Sequence, residues 1–66
     1  MQITLNGEAR ALDEGTTLRR LLEQLGLADK RLAVEINGAI VPRSQHAQRE
    51  LRGEDRVEIV TAIGGG

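Results

Sequence analysis

The chemistry this chain can offer is concentrated in its last three residues, Gly64, Gly65 and Gly66. Glycine loses more conformational freedom on ordering than any other residue and is ordinarily used where a turn requires it, yet with Gly66 read as the terminus no turn is expected here. Three consecutive glycines supply instead a thin, flexible filament about 10 Å long, at roughly 3.3–3.6 Å per residue, with no side chain to obstruct a narrow channel. Its tip is the α-carboxylate of Gly66, ionised at neutral pH and a poor electrophile. Such a group reacts only after activation, and a mixed anhydride with a nucleotide phosphate is the natural form. Once it is activated, the missing Cβ leaves the carbonyl carbon open to a nucleophile. The body of the chain would then be a handle and its terminus the reagent. On composition alone, a frayed or appended end fits the same three residues. A phosphate-cradling loop fits less well, because such loops need a helix behind them to present amides and dipole to the anion.

The remaining candidates are weaker. His46 is the sole histidine and the chain has no cysteine, so a solvent-facing or capping role is expected of it rather than a catalytic one. Asp13-Glu14 and Glu54-Asp55 are paired acids in expected turns, read as turn residues and not as an acid–base couple or a cation site; no metal site is expected. Lys30 is the only lysine, a weak fit for chain building through isopeptide bonds. Without cysteine there is no disulfide framework and no thiolate nucleophile, which suits a reducing cytoplasm, the expected location. Nine Lys and Arg nearly cancel ten Asp and Glu, and their scatter gives no footprint for nucleic acid or an anionic membrane. The absence of Phe, Tyr and Trp removes base stacking. The opening MQITLNGEAR reads as a strand and not as a leader, and no apolar run approaches the length of a membrane span. Val60, Ala62 and Ile63 form an apolar docking patch if the final strand exposes them beside the tail; burial of the same residues is an equal alternative.

The elements that must position this terminus follow from periodicity. Ile3 and Leu5 alternate with Gln2 and Thr4, and Asn6-Gly7 is the dipeptide best suited to a type I′ hairpin turn. Glu8 to Leu12 is the expected return strand, where small Ala9 and Ala11 indicate close packing or a thinly covered edge. Leu18, Leu21, Leu22 and Leu25 share one helical stripe, with Thr16 or Thr17 to cap its start and Gly26 past its end. Leu32, Val34 and Ile36 alternate again. Asn37-Gly38 repeats the hairpin signal before Ala39, Ile40 and Val41, and Pro42 ends a strand that belongs at an edge. Ser44 is expected to cap a single helical turn through Ala47. After the turn Gly53-Glu54-Asp55, a strand from Arg56 to Ile63 places Val57, Ile59 and Thr61 on one face and Glu58, Val60 and Ala62 on the other. The smallest layered solution is an α+β domain over residues 1–63, one amphipathic helix across a mixed sheet of four or five strands, followed by a tail at 64–66. So small a body leaves no room for a deep cleft, and function is expected on its surface or at its terminus.

Taken together, MQITLNGE, TTLRRLLEQLGL, VEINGAIVPRSQH, GEDRVEIV and TAIGGG resemble the ThiS family, small sulfur carriers of thiamin biosynthesis, over essentially the whole chain. The most specific pieces are Asn37-Gly38 followed by Ile40-Val41-Pro42-Arg43, and the terminal glycines. The resemblance implies a β-grasp, ubiquitin-like fold and a carrier that is not itself an enzyme. It implies a ThiF-type partner that uses ATP and magnesium to adenylate Gly66. Sulfur from a cysteine desulfurase persulfide would then leave a thiocarboxylate for a ThiG-type thiazole synthase. The carrier itself would bind no cofactor and be a monomer when alone. Gly65 corresponds to the penultimate glycine of the family ending, and Gly64, an extra glycine, serves reach. Two alternatives stand beside this reading: a carrier like the small subunit of molybdopterin synthase, which shares the ending and the activation chemistry, and a ubiquitin-like interaction module with an inert tail.

Overall fold

The structure, a computed structural model, describes residues 1–61. Ala62 and Ile63, expected to end the last strand, and the tail at Gly64, Gly65 and Gly66 lie outside the described residues. The elements are β1 (Gln2–Leu5), β2 (Glu8–Ala11), α1 (Leu18–Gln24), β3 (Leu32–Ile36), β4 (Ala39–Ile40), a 3-10 turn at Arg43–Gln45, and β5 (Arg56–Thr61).

Both Asn-Gly pairs make the expected turns, with φ of 50° and 85° at Asn6 and Gly7 and 54° and 85° at Asn37 and Gly38. Positive φ at both central positions is what a type I′ turn requires, and Asn and Gly tolerate it best. Each turn sets a register that leaves no slack. Leu5 faces Glu8 across the first hairpin, and Ile36 faces Ala39 across the second. β5 then inserts between the two hairpins, parallel to β1 and antiparallel to β3, so the strand order is β2-β1-β5-β3-β4. One helix across a five-stranded mixed sheet, with the last strand at its centre, is the β-grasp arrangement. β2, with its exposed alanines, and β4, stopped by Pro42, are the two edges.

Helix α1 is only seven residues long, too short to persist on propensity alone, so its ends and its buried face must hold it. Its first N–H groups are all engaged. Leu18 donates to the Arg49 carbonyl (2.8 Å), Arg19 to that of His46 (2.9 Å), and Arg20 to Oγ1 of Thr17, the N-cap (3.1 Å). At the other end Leu27 N–H reaches the Leu22 carbonyl (2.8 Å) and Gly26 N–H that of Glu23 (3.0 Å). This pair of bonds is a Schellman closure, with Gly26 at φ 74° in the left-handed position. Between the two caps, Leu18, Leu21 and Leu22 are buried against Ile3, Val34, Ile36, Val57 and Ile59 of the sheet, with Leu12 and Leu51 closing the sides.

Three expectations are corrected. Strand β2 ends at Ala11 and not Leu12, because its partner β1 begins at Gln2, opposite Ala11, and leaves Leu12 only Met1 to pair with. The 3-10 turn starts at Arg43 behind Pro42, with no side-chain cap from Ser44; the proline has already fixed the entry angle. His46 is not solvent-facing but buried, its Nε2 3.0 Å from the Val41 carbonyl. A carbonyl can only accept, so Nε2 carries the proton. The capping alternative fares better, since His46 ends the 3-10 turn and its own carbonyl receives Arg19.

Candidate functional site

The residues that could do chemistry follow the last described residue of β5, so the site is built by whatever fixes that strand. On one side β3 pairs with it from Val57, opposite Ile36, to Thr61, opposite Leu32. On the other, β1 pairs through Thr4 and Leu5, opposite Arg56 and Val57. Side chains alternate strictly. Val57 and Ile59 point into the core, while Glu58 and Val60 point to the face opposite the helix. On that face Val60 lies across from Ala33 and Glu58 across from Glu35, which in turn lies across from Ile40.

Of the expected docking residues, Val60 is placed on the surface, 66 % exposed. Ala62 and Ile63 lie outside the described residues, as do Gly64, Gly65 and Gly66. A second exposed aliphatic, Ile40 at 68 %, was not picked out from the sequence. The signal was present: a two-residue Asn-Gly loop forces Ile36 opposite Ala39 and therefore Ile40 opposite Glu35, on the face that Ile36 does not use. Val60 and Ile40 sit two strands and one pleat repeat apart, about 12 Å, with the carboxylates of Glu35 and Glu58 on the same face.

The turn acids divide. Asp13 offers its backbone carbonyl to Thr16 (2.7 Å from Oγ1), as a turn residue does. Asp55 is buried, and its carboxylate accepts from Arg52 N–H (2.8 Å) and Asn37 Nδ2 (3.0 Å), with Arg49 Nη2 at 3.9 Å. It is a structural clasp at the start of β5. No group of three or more His, Cys, Asp or Glu that could hold a metal occurs among the described residues. No helix among them is long and apolar enough to cross a membrane.

The ThiS family model matches residues 3–66, a span that includes the three glycines. The chain belongs to the ThiS family. It is 39 % identical to the sulfur carrier protein ThiS of Escherichia coli, with the whole of both chains aligned. It is 46 % identical to a thiazole synthase of Magnetococcus marinus, of whose length it spans 20 %. Among solved structures it is similar to the thiamine biosynthesis protein ThiS of Geobacter metallireducens, at 30 % identity and a TM-score of 0.83 with both chains fully covered. This ThiS-family chain therefore has the β-grasp body expected from its sequence.

Proposed function

We propose that the Gly66 carboxylate is the sulfur-bearing group of this chain, which is a sulfur carrier protein of thiamine biosynthesis. The observation that carries the reading is the family match through residue 66, over a body whose central strand, β5, is the last described element before the glycines in the sequence. An adenylating partner of the ThiF type binds ATP and magnesium. A Gly66 carboxylate oxygen attacks the α-phosphorus, and pyrophosphate leaves. The acyl adenylate is then an electrophile with no side chain over its carbonyl. Hydrosulfide forms the C–S bond as the C–O bond to AMP breaks, and AMP departs with the electron pair. Where a cysteine desulfurase persulfide is the donor, its outer sulfur displaces AMP to give an acyl disulfide, and a second thiol then cleaves the S–S bond, being oxidised to a disulfide as the thiocarboxylate leaves. The product is a thiocarboxylate, a sulfur nucleophile that a thiazole synthase consumes. The chain contributes no catalytic residue; it acts as the co-substrate of its partners. A ThiG-type synthase as the acceptor is supported by the relative in which a matching segment forms one fifth of a thiazole synthase. Gly64 and Gly65 supply the bare reach by which the terminus enters a partner, and Val60, Ala62 and Ile63 contribute to docking.

The test is direct. Incubation with the adenylating partner, ATP, magnesium and sulfide must raise the intact mass by the difference between sulfur and oxygen, with tandem spectra placing the change on Gly66. An unchanged mass favours the inert interaction module. Sulfur accepted by a pterin-forming synthase but not by a thiazole synthase favours the molybdopterin-type carrier.

A further inference from the structure

The two Asn-Gly turns do more than reverse the chain. A parallel partner of β5 would next offer Ile59 a backbone carbonyl and N–H, but φ of 50° at Asn6 takes the main chain away toward β2. The Asn6 side chain replaces that missing rung. Its Oδ1 accepts from Ile59 N–H at 2.8 Å, and its Nδ2 donates to the Ile59 carbonyl at 3.4 Å, while its own N–H donates to Val57 at 2.9 Å. A side-chain amide carries the same donor and acceptor as a peptide, so β1 is extended by one residue without a residue being added. Asn37 does the equivalent at the beginning of the strand, accepting from Arg56 N–H at 2.9 Å and donating to Asp55 at 3.0 Å. The two latches differ in place. Asn37 grips the entry of β5. Asn6 grips Ile59, and among the described residues it is the last hold on the β1 side before Val60 and Thr61, which only β3 pairs.

We propose that Asn6 is a positioning residue for sulfur loading, its side-chain amide fixing the direction in which the final strand leaves the body. The proposal rests on the reading of Gly66 as the loaded group. The adenylating partner must engage the body and the terminus together. If the strand end pivots about β3, only a fraction of molecules presents both correctly, and the apparent affinity falls by that fraction. The chemical step, which takes place inside the partner, is untouched.

The test compares Asn6→Gly with Asn37→Gly. Glycine accepts the positive φ at either position, and both variants carry the same added backbone entropy, so each serves as the other's control. For Asn6→Gly we expect the Ile59 amide to exchange at least about tenfold faster, and KM in the adenylation assay to rise by about tenfold with kcat unchanged. Asn37→Gly should lower the melting temperature by a similar or larger amount and leave KM per folded molecule unchanged. Asn6→Asp, which keeps the acceptor for Ile59 N–H and loses the donor, should fall between wild type and glycine. Equal KM changes in the two glycine variants, or an unchanged Ile59 exchange rate in Asn6→Gly, overturn the proposal while leaving the carrier reading intact. A wild-type chain that gains no sulfur overturns both.

Discussion

Asp55→Ala is the sharpest probe of how the body holds its last strand. The carboxylate side chain is 10 % exposed, ties Arg52 N–H at 2.8 Å and Asn37 Nδ2 at 3.0 Å, and lies 3.9 Å from Arg49 Nη2. The Arg49 contact is long and its side chain is 41 % exposed, so it adds only a few tenths of a kcal/mol. Hydrogen bonds to a charged acceptor contribute about 1.5–3 kcal/mol each, and removal of the acceptor would forfeit most of that if the donors stayed dry. Both Arg52 and Asn37 are surface residues, so water can reach the donors, and the two bonds together should be worth about 2 kcal/mol rather than 4. For a domain of this size that lowers the midpoint of thermal unfolding by roughly 8–16 °C. Asp55→Asn keeps the shape but turns one of the two bonds into a donor facing a donor, and should cost about half or more of the alanine loss. Urea unfolding followed by far-ultraviolet circular dichroism, with an unchanged slope, is the measurement. A double-mutant cycle with Asn37→Gly should return a coupling of about 0.5–1.5 kcal/mol. Zero coupling, or an alanine variant within about 0.5 kcal/mol of wild type, would refute the view that this clasp anchors the start of β5.

Three further outcomes follow from the same structure. Leu21→Ala removes a side chain with no exposed surface at the centre of the helix stripe and should cost about 2–5 kcal/mol in equilibrium denaturation. That is enough, against a total of roughly 3–10 kcal/mol for so short a chain, to leave a substantial unfolded fraction at 37 °C. Gly26→Ala meets nothing within 4 Å of the added Cβ, so its cost is the strain of an L-residue at φ 74° alone, about 1 kcal/mol in the same assay. Gly65→Val should leave the melting temperature within about 2 °C of wild type, a change well below 1 kcal/mol, while thiocarboxylate formation falls by more than about tenfold in an intact-mass assay; normal loading by this variant would remove the steric argument for the glycine ending.

Much of this was legible because the strongest local signals also act globally. An Asn-Gly pair fixes a hairpin's turn, the turn fixes register, and register decides which side chains share a face, so β1 through β4 and the helix stripe follow from dipeptides and spacing. What was not legible depends on contacts between residues far apart in the chain. Nothing near His46 says that its ring will find the Val41 carbonyl. Nothing in an Asn-Gly turn says whether the asparagine amide faces solvent or, as with Asn6, a strand 53 residues later. Ser44 was expected to cap because its type permits it. Pro42, two residues earlier, had already set the start of the turn. Of the candidate site, the chemistry proposed for the terminal glycines rests on residue type and position in the sequence. Only Val60, among the expected docking residues, falls within the described body.

The placement of β5 gives the physical logic of the molecule. A chain this small gains little from its core, and a buried cleft would remove side chains it cannot spare. Function at a chain end, as proposed for Gly66, would avoid that conflict, since such an end can be occupied, activated and released without opening the body. The strand that leads to the end must nevertheless stay fixed under those demands. An edge strand would be poor for this, paired on one side and free to peel; a central strand is held by two neighbours. β5 is central, buries Val57 and Ile59 beneath the helix, and is gripped at both ends of its shared stretch with β1 by side-chain amides from the two turns. The most firmly held element thus ends, at Thr61, two residues short of the three glycines in the sequence. A single circular permutation tests this. The termini move to the 53–54 turn, and residue 66 is joined to residue 1 through a flexible linker of about twelve residues, needed because parallel β1 and β5 put the start of one and the end of the other at opposite ends of the sheet. This permutant should keep much of the fold's stability, yet abolish loading, because the free carboxylate would then follow an exposed turn. Retained loading in that permutant would show that any accessible glycine end suffices and that the central strand has no part in presenting it.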